Sequence, residues 1–319
     1  MVAIALGSVW IPPSQVLSVL ANEIFGAHFP SSSTNVEIIW SLRAPRVFAA
    51  ALVGAMLALA GTALQGLVRN PLADPYIIGV SSGASVGAAA VMVLGSSALA
   101  GLSVSGAAFA GAISCIILAY FFAQKSGHFT DSRIILGGVA ISYVAMAITS
   151  YLELTANPGE LKGLLFWTMG SVAGVSWSSL LLPVIVLLIG GFWLISRGSV
   201  LNALALGDDD AISLGVNVKR IRLGLLVSSA ALTALAVCVA GGVGFVGLII
   251  PHACRMIIGH DNRKVLPLSG LFGAIFLVFV DLIARTLWSP NEFPLTIFTA
   301  AIGGPFFIWL MTREKSMQP

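Results

Sequence analysis

Apolar runs close to the length of a membrane-spanning helix recur along this chain at nearly regular intervals, and they leave it few architectures to adopt. They lie at about 47–68, 77–97, 102–123, 134–155, 179–196, 223–240, 243–258, 267–287 and 295–311. A helix needs about 20 apolar residues to cross the hydrocarbon core of a bilayer. Backbone polar groups find no water there, so a span must satisfy its own hydrogen bonds, and a helix does so within one segment. Charged residues make up only 9% of the chain, against roughly a quarter in soluble domains. The pattern predicts an all-α, polytopic transmembrane helix bundle with nine full spans, forming one domain over 1–319.

Two stretches fall outside the pattern. "MVAIALGSVW" is apolar but stops at Pro12-Pro13, too short to span, and reads as the tail of a helix that starts further upstream. "LKGLLFWTMGSVAGVSW", between 155 and 178, is too polar to span and reads as a short helix near an interface or bent back into the bundle.

Orientation follows from lysine and arginine. One side collects Arg69, Lys125, Arg133, Arg197, Lys219, Arg220, Arg222, Arg255, Arg263, Lys264, Arg313 and Lys315. The other holds Arg43, Arg46, Lys162 and Arg285, with Trp10, Trp40, Trp167, Trp177 and Trp288 as an aromatic belt. Twelve against four places the first side in the cytoplasm. Within the spans, Gly79, Gly83 and Gly87 recur every four residues, and Gly54, Ala58 and Gly61 share a face. Small residues of this kind let helix backbones approach closely in lipid.

The most polar segment is "ALALGDDDAISLGVNVKRIR", 203–222, on the cytoplasmic side. Asp208, Asp209 and Asp210 suit a helix N-terminus, where free N–H groups and the positive end of the dipole favour acids. Gly215 can end that helix, and "VNVKRIR" reads as a second short element leading back to the membrane. Adjacent residues on a helix point in different directions, so three consecutive acids make a poor metal site. The segment also carries Leu204, Leu206, Ile212, Leu214 and Val216, which a merely solvated loop would not need. It reads as a docking foot for a cytoplasmic partner.

Elsewhere, "RNPLADP" at 69–75 breaks the helix at two prolines and reads as a turn at the membrane face, able to act as a gate between pore-lining helices. Arg43 and Arg46 read as snorkelling to headgroups or as hints of an acidic outer partner, and Arg285 as an i,i+4 pair with Asp281. No phosphate-binding GxxxxGK[ST] occurs. The histidines (His28, His128, His252, His260) and cysteines (Cys115, Cys238, Cys254) are scattered, with no metal-ligand spacing. The basic residues are dispersed, which argues against a nucleic-acid partner. Few ionisable groups lie deep in the spans, which argues against a secondary transporter with a carboxylate relay.

Four segments together, "RAPR…LVGAMLALAGTALQGLVRNPLADPYIIGVSSGAS" (43–85), "NALALGDDDAISLGVNVKRIR" (202–222), "GGVGFVGLIIPHACR" (241–255) and "DLIARTLWSPNEFPLTIFTAAIGGPFFIWLM" (281–311), resemble the FecCD-type permeases of type II ABC importers. The resemblance implies a ten-helix permease in the bacterial cytoplasmic (inner) membrane that is not itself an enzyme. It implies a homodimeric pore for a metal chelate: an iron(III)-siderophore first, with vitamin B12 or haem as alternatives. The implied partners are a second copy, two cytoplasmic ABC ATPases that bind ATP and Mg, and a periplasmic substrate-binding protein. By the same resemblance, Leu206, Gly207, Asp208, Asp209, Asp210, Ile212, Leu214, Gly215 and Val216 seat in the ATPase. Arg43, Arg46 and Arg285 receive the binding protein. Asn70, Leu72, Asp131 and Ser132 form the cytoplasmic gate, and Asn157 a periplasmic one.

Overall fold

A computed structural model describes residues 1–7, 9–99, 101–125, 131–289 and 291–315. Among them the secondary structure is helical, without strands. After a single turn at Val2–Ala5 come α1 (Pro13–Phe25), α2 (Ser33–Val68), α3 (Val80–Leu94), α4 (Val104–Lys125), α5 (Asp131–Thr155), α6 (Pro158–Thr168) and α7 (Trp177–Ser196). Two short helices, α8 (Gly198–Leu206) and α9 (Asp208–Ser213), precede α10 (Val218–Ala240), α11 (Val246–Ile258), α12 (Asn262–Thr286) and α13 (Leu295–Lys315).

By length and composition, α2, α7, α10, α12 and the Leu136–Thr155 part of α5 can cross a membrane; α3, α11, Val104–Ala119 and Leu295–Leu310 are shorter apolar helices. The centre is α2, whose most apolar window is 78% buried. It has no strongly polar face, and a helix apolar all round is stable only when surrounded. Its neighbours are α12, α10 and α11, and small residues set the spacing. Gly54 lies against the backbone of Gly273 on α12, with Ala58 beside it, and Gly61 against Gly247 on α11. Gly83 and Gly87 likewise seat α3 on Gly111 and Ala107 of α4. Gly79 does not join that stripe: its φ of 84° takes it out of the helix.

Several expected boundaries move. The α2 helix begins at Ser33 rather than 47, passing through wider π-type turns at Glu37–Arg43. The short element expected at 216–222 is instead the first turns of α10, where the Asn217 side chain accepts from the Arg220 N–H. The stretch 77–97 is a helix only from Val80, because Pro75–Ile78 forms a 3₁₀ turn first.

That turn is tied to a distant part of the chain. The Tyr76 hydroxyl donates to the Val243 carbonyl at 2.9 Å and accepts from the Val243 N–H at 3.0 Å. Val243 belongs to the break between α10 and α11. The chain after α6 joins the same place: the Ser171 N–H donates to the Ala240 carbonyl, and the Leu295 N–H to the Gly170 carbonyl at 2.8 Å. The Thr296 hydroxyl donates to the Gly242 carbonyl at 2.7 Å. Four interruptions, at 75–79, 168–171, 241–245 and 294–296, thus satisfy one another's backbone groups, as non-helical chain inside an apolar bundle must.

Candidate functional site

The foot forms at the end of the bundle richest in basic residues. Gly207, with φ 136°, separates α8 from α9, and α9 opens on Asp208, Asp209 and Asp210. Gly215, with φ 80°, follows its end and donates to the Ile212 carbonyl. The apolar ridge is narrower than the sequence suggests. Leu204 and Ala211 are buried and anchor the foot, and Val216 is half-buried. Leu206, Ile212 and Leu214 are 68%, 59% and 66% exposed. Large aliphatic side chains this open stand beside the exposed Asp209 and Asp210, as an apolar patch rimmed by acids.

The foot is tied firmly to α12. Asn202 on α8 donates to Asp261 at 2.7 Å and accepts from the Asn262 N–H at 2.8 Å. Bonds from Arg263 and Asn202 hold the Asp261 carboxyl well below the usual carboxylate range. Gly198 lies against the backbone of Arg263, leaving no room for a side chain.

The segment expected to form the gate begins at Arg69, which closes α2 in the left-handed region with φ 55°. Asn70 is exposed, and its Oδ1 accepts from the Leu72 N–H at 2.9 Å, which presents Leu72 at 58% exposure. Asp131 and Ser132 open α5 at the same end, but their side chains lie outside the described residues. Asn157 is exposed at the start of α6, where its N–H donates to Glu160 at 2.9 Å.

Asp74 lies at the end of the same segment. Its carboxylate accepts from the Tyr76 N–H at 2.8 Å, and burial against the turn raises its pKa to about 6. The shift is upward, so the folded protein holds this proton more tightly than the unfolded chain does. Stability carried by Asp74 is therefore complete below the ordinary carboxylate range and declines as pH rises through about 6. Asp74→Asn keeps the acceptor and removes the charge. Thermal unfolding between pH 4 and 8, about the range these pKa values span, is expected to show a weaker alkaline decline in the variant; identical profiles would contradict the assignment.

At the opposite end the three arginines have partners within the chain, which corrects the expectation that Arg43 and Arg46 snorkel to headgroups. Arg43 donates to the carbonyls of Ile4, Ala5 and Val9 at 2.9, 3.0 and 2.6 Å. Arg285 donates to the Ala3 carbonyl. Two guanidiniums thus bond carbonyls at and just beyond the end of the first helical turn, where backbone acceptors lack helical partners. Asp281 is closer to Arg46, at 2.9 Å, than to Arg285, at 3.6 Å, so the i,i+4 pair is the weaker half of a three-residue cluster. Arg46 also reaches Glu292 at 2.7 Å. Glu292 received no role from the sequence; a lone acid just before an apolar span, facing three surplus arginines, was the signal available. Arg43, Arg46, Arg285 and Glu292 line a cleft of about 520 Å³ with Ser41 and Ser289, while Asp281 is buried behind it.

Comparison with known proteins sets these features in a family. The profile of the FecCD transport family matches residues 1–313. The chain is 42% identical over 290 residues to the cobalamin import system permease protein BtuC of Halobacterium salinarum, covering 91% of this chain and 77% of that one. It is 40% identical over 296 residues to the hemin transport system permease protein HmuU of Yersinia pestis, covering 90% and 88%. A solved structure described as an inward-facing conformation of a metal-chelate type ABC transporter superposes with a TM-score of 0.80 at 33% identity, covering 94% of this chain and 98% of that one. A buried helix bundle with a polar foot at one end, matched in sequence and in fold over nearly its whole length, belongs to the FecCD transport family and is a multi-pass membrane permease of an ABC importer, not an enzyme.

Proposed function

We propose that this permease carries a metal chelate inward, as a homodimer, across a bacterial cytoplasmic membrane. Two separate ATPases hold the ATP and Mg, and a periplasmic protein delivers the cargo. The observation that carries the reading is the foot: Leu206, Ile212 and Leu214 stand open beside two exposed acids, on a segment pinned to α12 by Asn202 and Asp261. A pinned, apolar and exposed knuckle suits a lever gripped by another protein. Nucleotide binding in the ATPase would then bias the bundle between two arrangements.

Relatives named for cobalamin and hemin favour a tetrapyrrole chelate over the ferric siderophore expected from resemblance alone. Exposed apolar faces on α5, including Tyr143, Val144, Tyr151 and Leu154, suit a second copy or lipid. For the delivering protein, Arg46 at the outer cleft is the best placed of the three arginines. An incoming carboxylate would compete with the half-exposed Glu292 for it.

Leu206→Asp combined with Leu214→Asp is expected to weaken ATPase association by about 2 kcal/mol or more, roughly thirty-fold, because each change puts a charge into a desolvated contact. Co-purification of the ATPase with the permease measures it. Undiminished capture by the double variant would remove the foot from the interface.

A further inference from the structure

The three acids of α9 are not equivalent. Asp209 and Asp210 are exposed, whereas Asp208 turns toward the body of the permease. Its Oδ1 accepts from Arg222 at 3.0 Å and from Arg69 at 3.3 Å. One carboxylate therefore joins the foot, the first turns of α10 and the end of α2. Arg69 sits in a left-handed conformation where glycine is the usual residue and an L side chain is strained. Among the described residues Phe245 is the one other non-glycine with positive φ. A strained arginine where glycine would serve the backbone better points to work done by the side chain, and this side chain reaches Asp208. The segment that starts at Arg69 is fixed again at Tyr76, through the two bonds to Val243. Residues 69–76, which include Asn70 and Leu72, are thus held at one end by the foot and at the other by the junction of broken helices.

We propose that Asp208 is a positioning residue, not an ATPase contact: by gripping Arg69 it makes the gate segment follow the foot. The proposal rests on the coupling role given to the foot above. Exposed ion pairs add little to stability, since water competes for both charges. Losing this one leaves the fold intact and frees two parts that otherwise move together. Arg69→Gly is the cleanest lesion, because it relieves the strained conformation while cutting the link. Asp208→Asn cuts it from the other side, and Arg69→Lys keeps a cation.

The experiment uses the permease–ATPase complex with Leu72→Cys as reporter; the native Cys115, Cys238 and Cys254 are buried. The rate of maleimide modification at position 72 is measured with and without ATP plus vanadate. In the parent complex the two rates are expected to differ by about fivefold or more. In Arg69→Gly and Asp208→Asn the ratio is expected to fall to within about twofold of unity, with the double variant no worse than either single one. Arg69→Lys restores most of the response, and ATPase co-purification persists throughout. A nucleotide response that survives in both single variants, or is missing from the parent complex, overturns the proposal. Failure of the ATPase to co-purify with the parent permease would instead sink the coupling role of the foot.

Discussion

Asp281→Ala is expected to destabilise the permease by about 3–5 kcal/mol, the usual consequence of removing one partner from a buried charge cluster. The Asp281 side chain is 1% exposed and stands between Arg46 and Arg285, themselves 12% and 5% exposed. Without it two buried guanidiniums face each other, and Glu292, 43% exposed and paired with Arg46, does not replace it. Arg285 also caps the Ala3 carbonyl, so the damage should spread to the first helical turn. Thermal unfolding in detergent should show a large drop in Tm, and limited proteolysis should release residues near 1–11. Asp281→Asn, which keeps an acceptor, should fall between the two. A Tm unchanged in Asp281→Ala would mean that the cluster does not hold the outer end together.

The second large effect is expected at Gly61. A side chain there would overlap the backbone of Gly247 on α11, which cannot rotate away as a flexible side chain could. Overpacking costs about 1–3 kcal/mol and occasionally more, and contact with backbone puts Gly61→Leu at or above the top of that range. Even Gly61→Ala should be destabilising. Gly163 on α6 has no atom near the place a side chain would fill. Gly163→Ala should therefore be neutral or stabilising by up to about 1 kcal/mol, through helix propensity alone. Opposite signs for the same chemical change would locate the effect in helix packing; equal effects would show that the close approach of α2 and α11 is unimportant.

These two sites show what the sequence could and could not reveal. Gly61 was legible, because a small residue repeating at helical spacing in an apolar run predicts close packing, although its partner on α11 was not. The shape of the foot was legible for a local reason: three acids at a helix start, with Gly207 and Gly215 on either side, mark a short helix, and both glycines take positive φ. The outer arginines stood out by number, but their burial did not. Arg43 finds its acceptors 34–39 positions away, and Arg46 finds Asp281 across 235. Nothing local to 43–46 encodes those contacts. The junction of broken helices was hidden for the same reason. Tyr76 and Val243 are 167 residues apart, and the bonds that join them involve backbone groups, which every sequence possesses. Hydropathy reports how apolar a segment is, and so it read 77–97 as one continuous span. It does not report where a helix is interrupted and repaired by another interruption.

The proposed function requires a separate nucleotide motor that drives transport through the foot. Proteoliposomes holding the permease alone, or the permease with its ATPase and binding protein, can be loaded with ATP on the motor side. Uptake of radiolabelled cyanocobalamin, hemin and a ferric siderophore is then followed in parallel. Accumulation of one of these above its outside concentration, only in the complete assembly and only with ATP, is the expected result. Equal accumulation by the permease alone would contradict it.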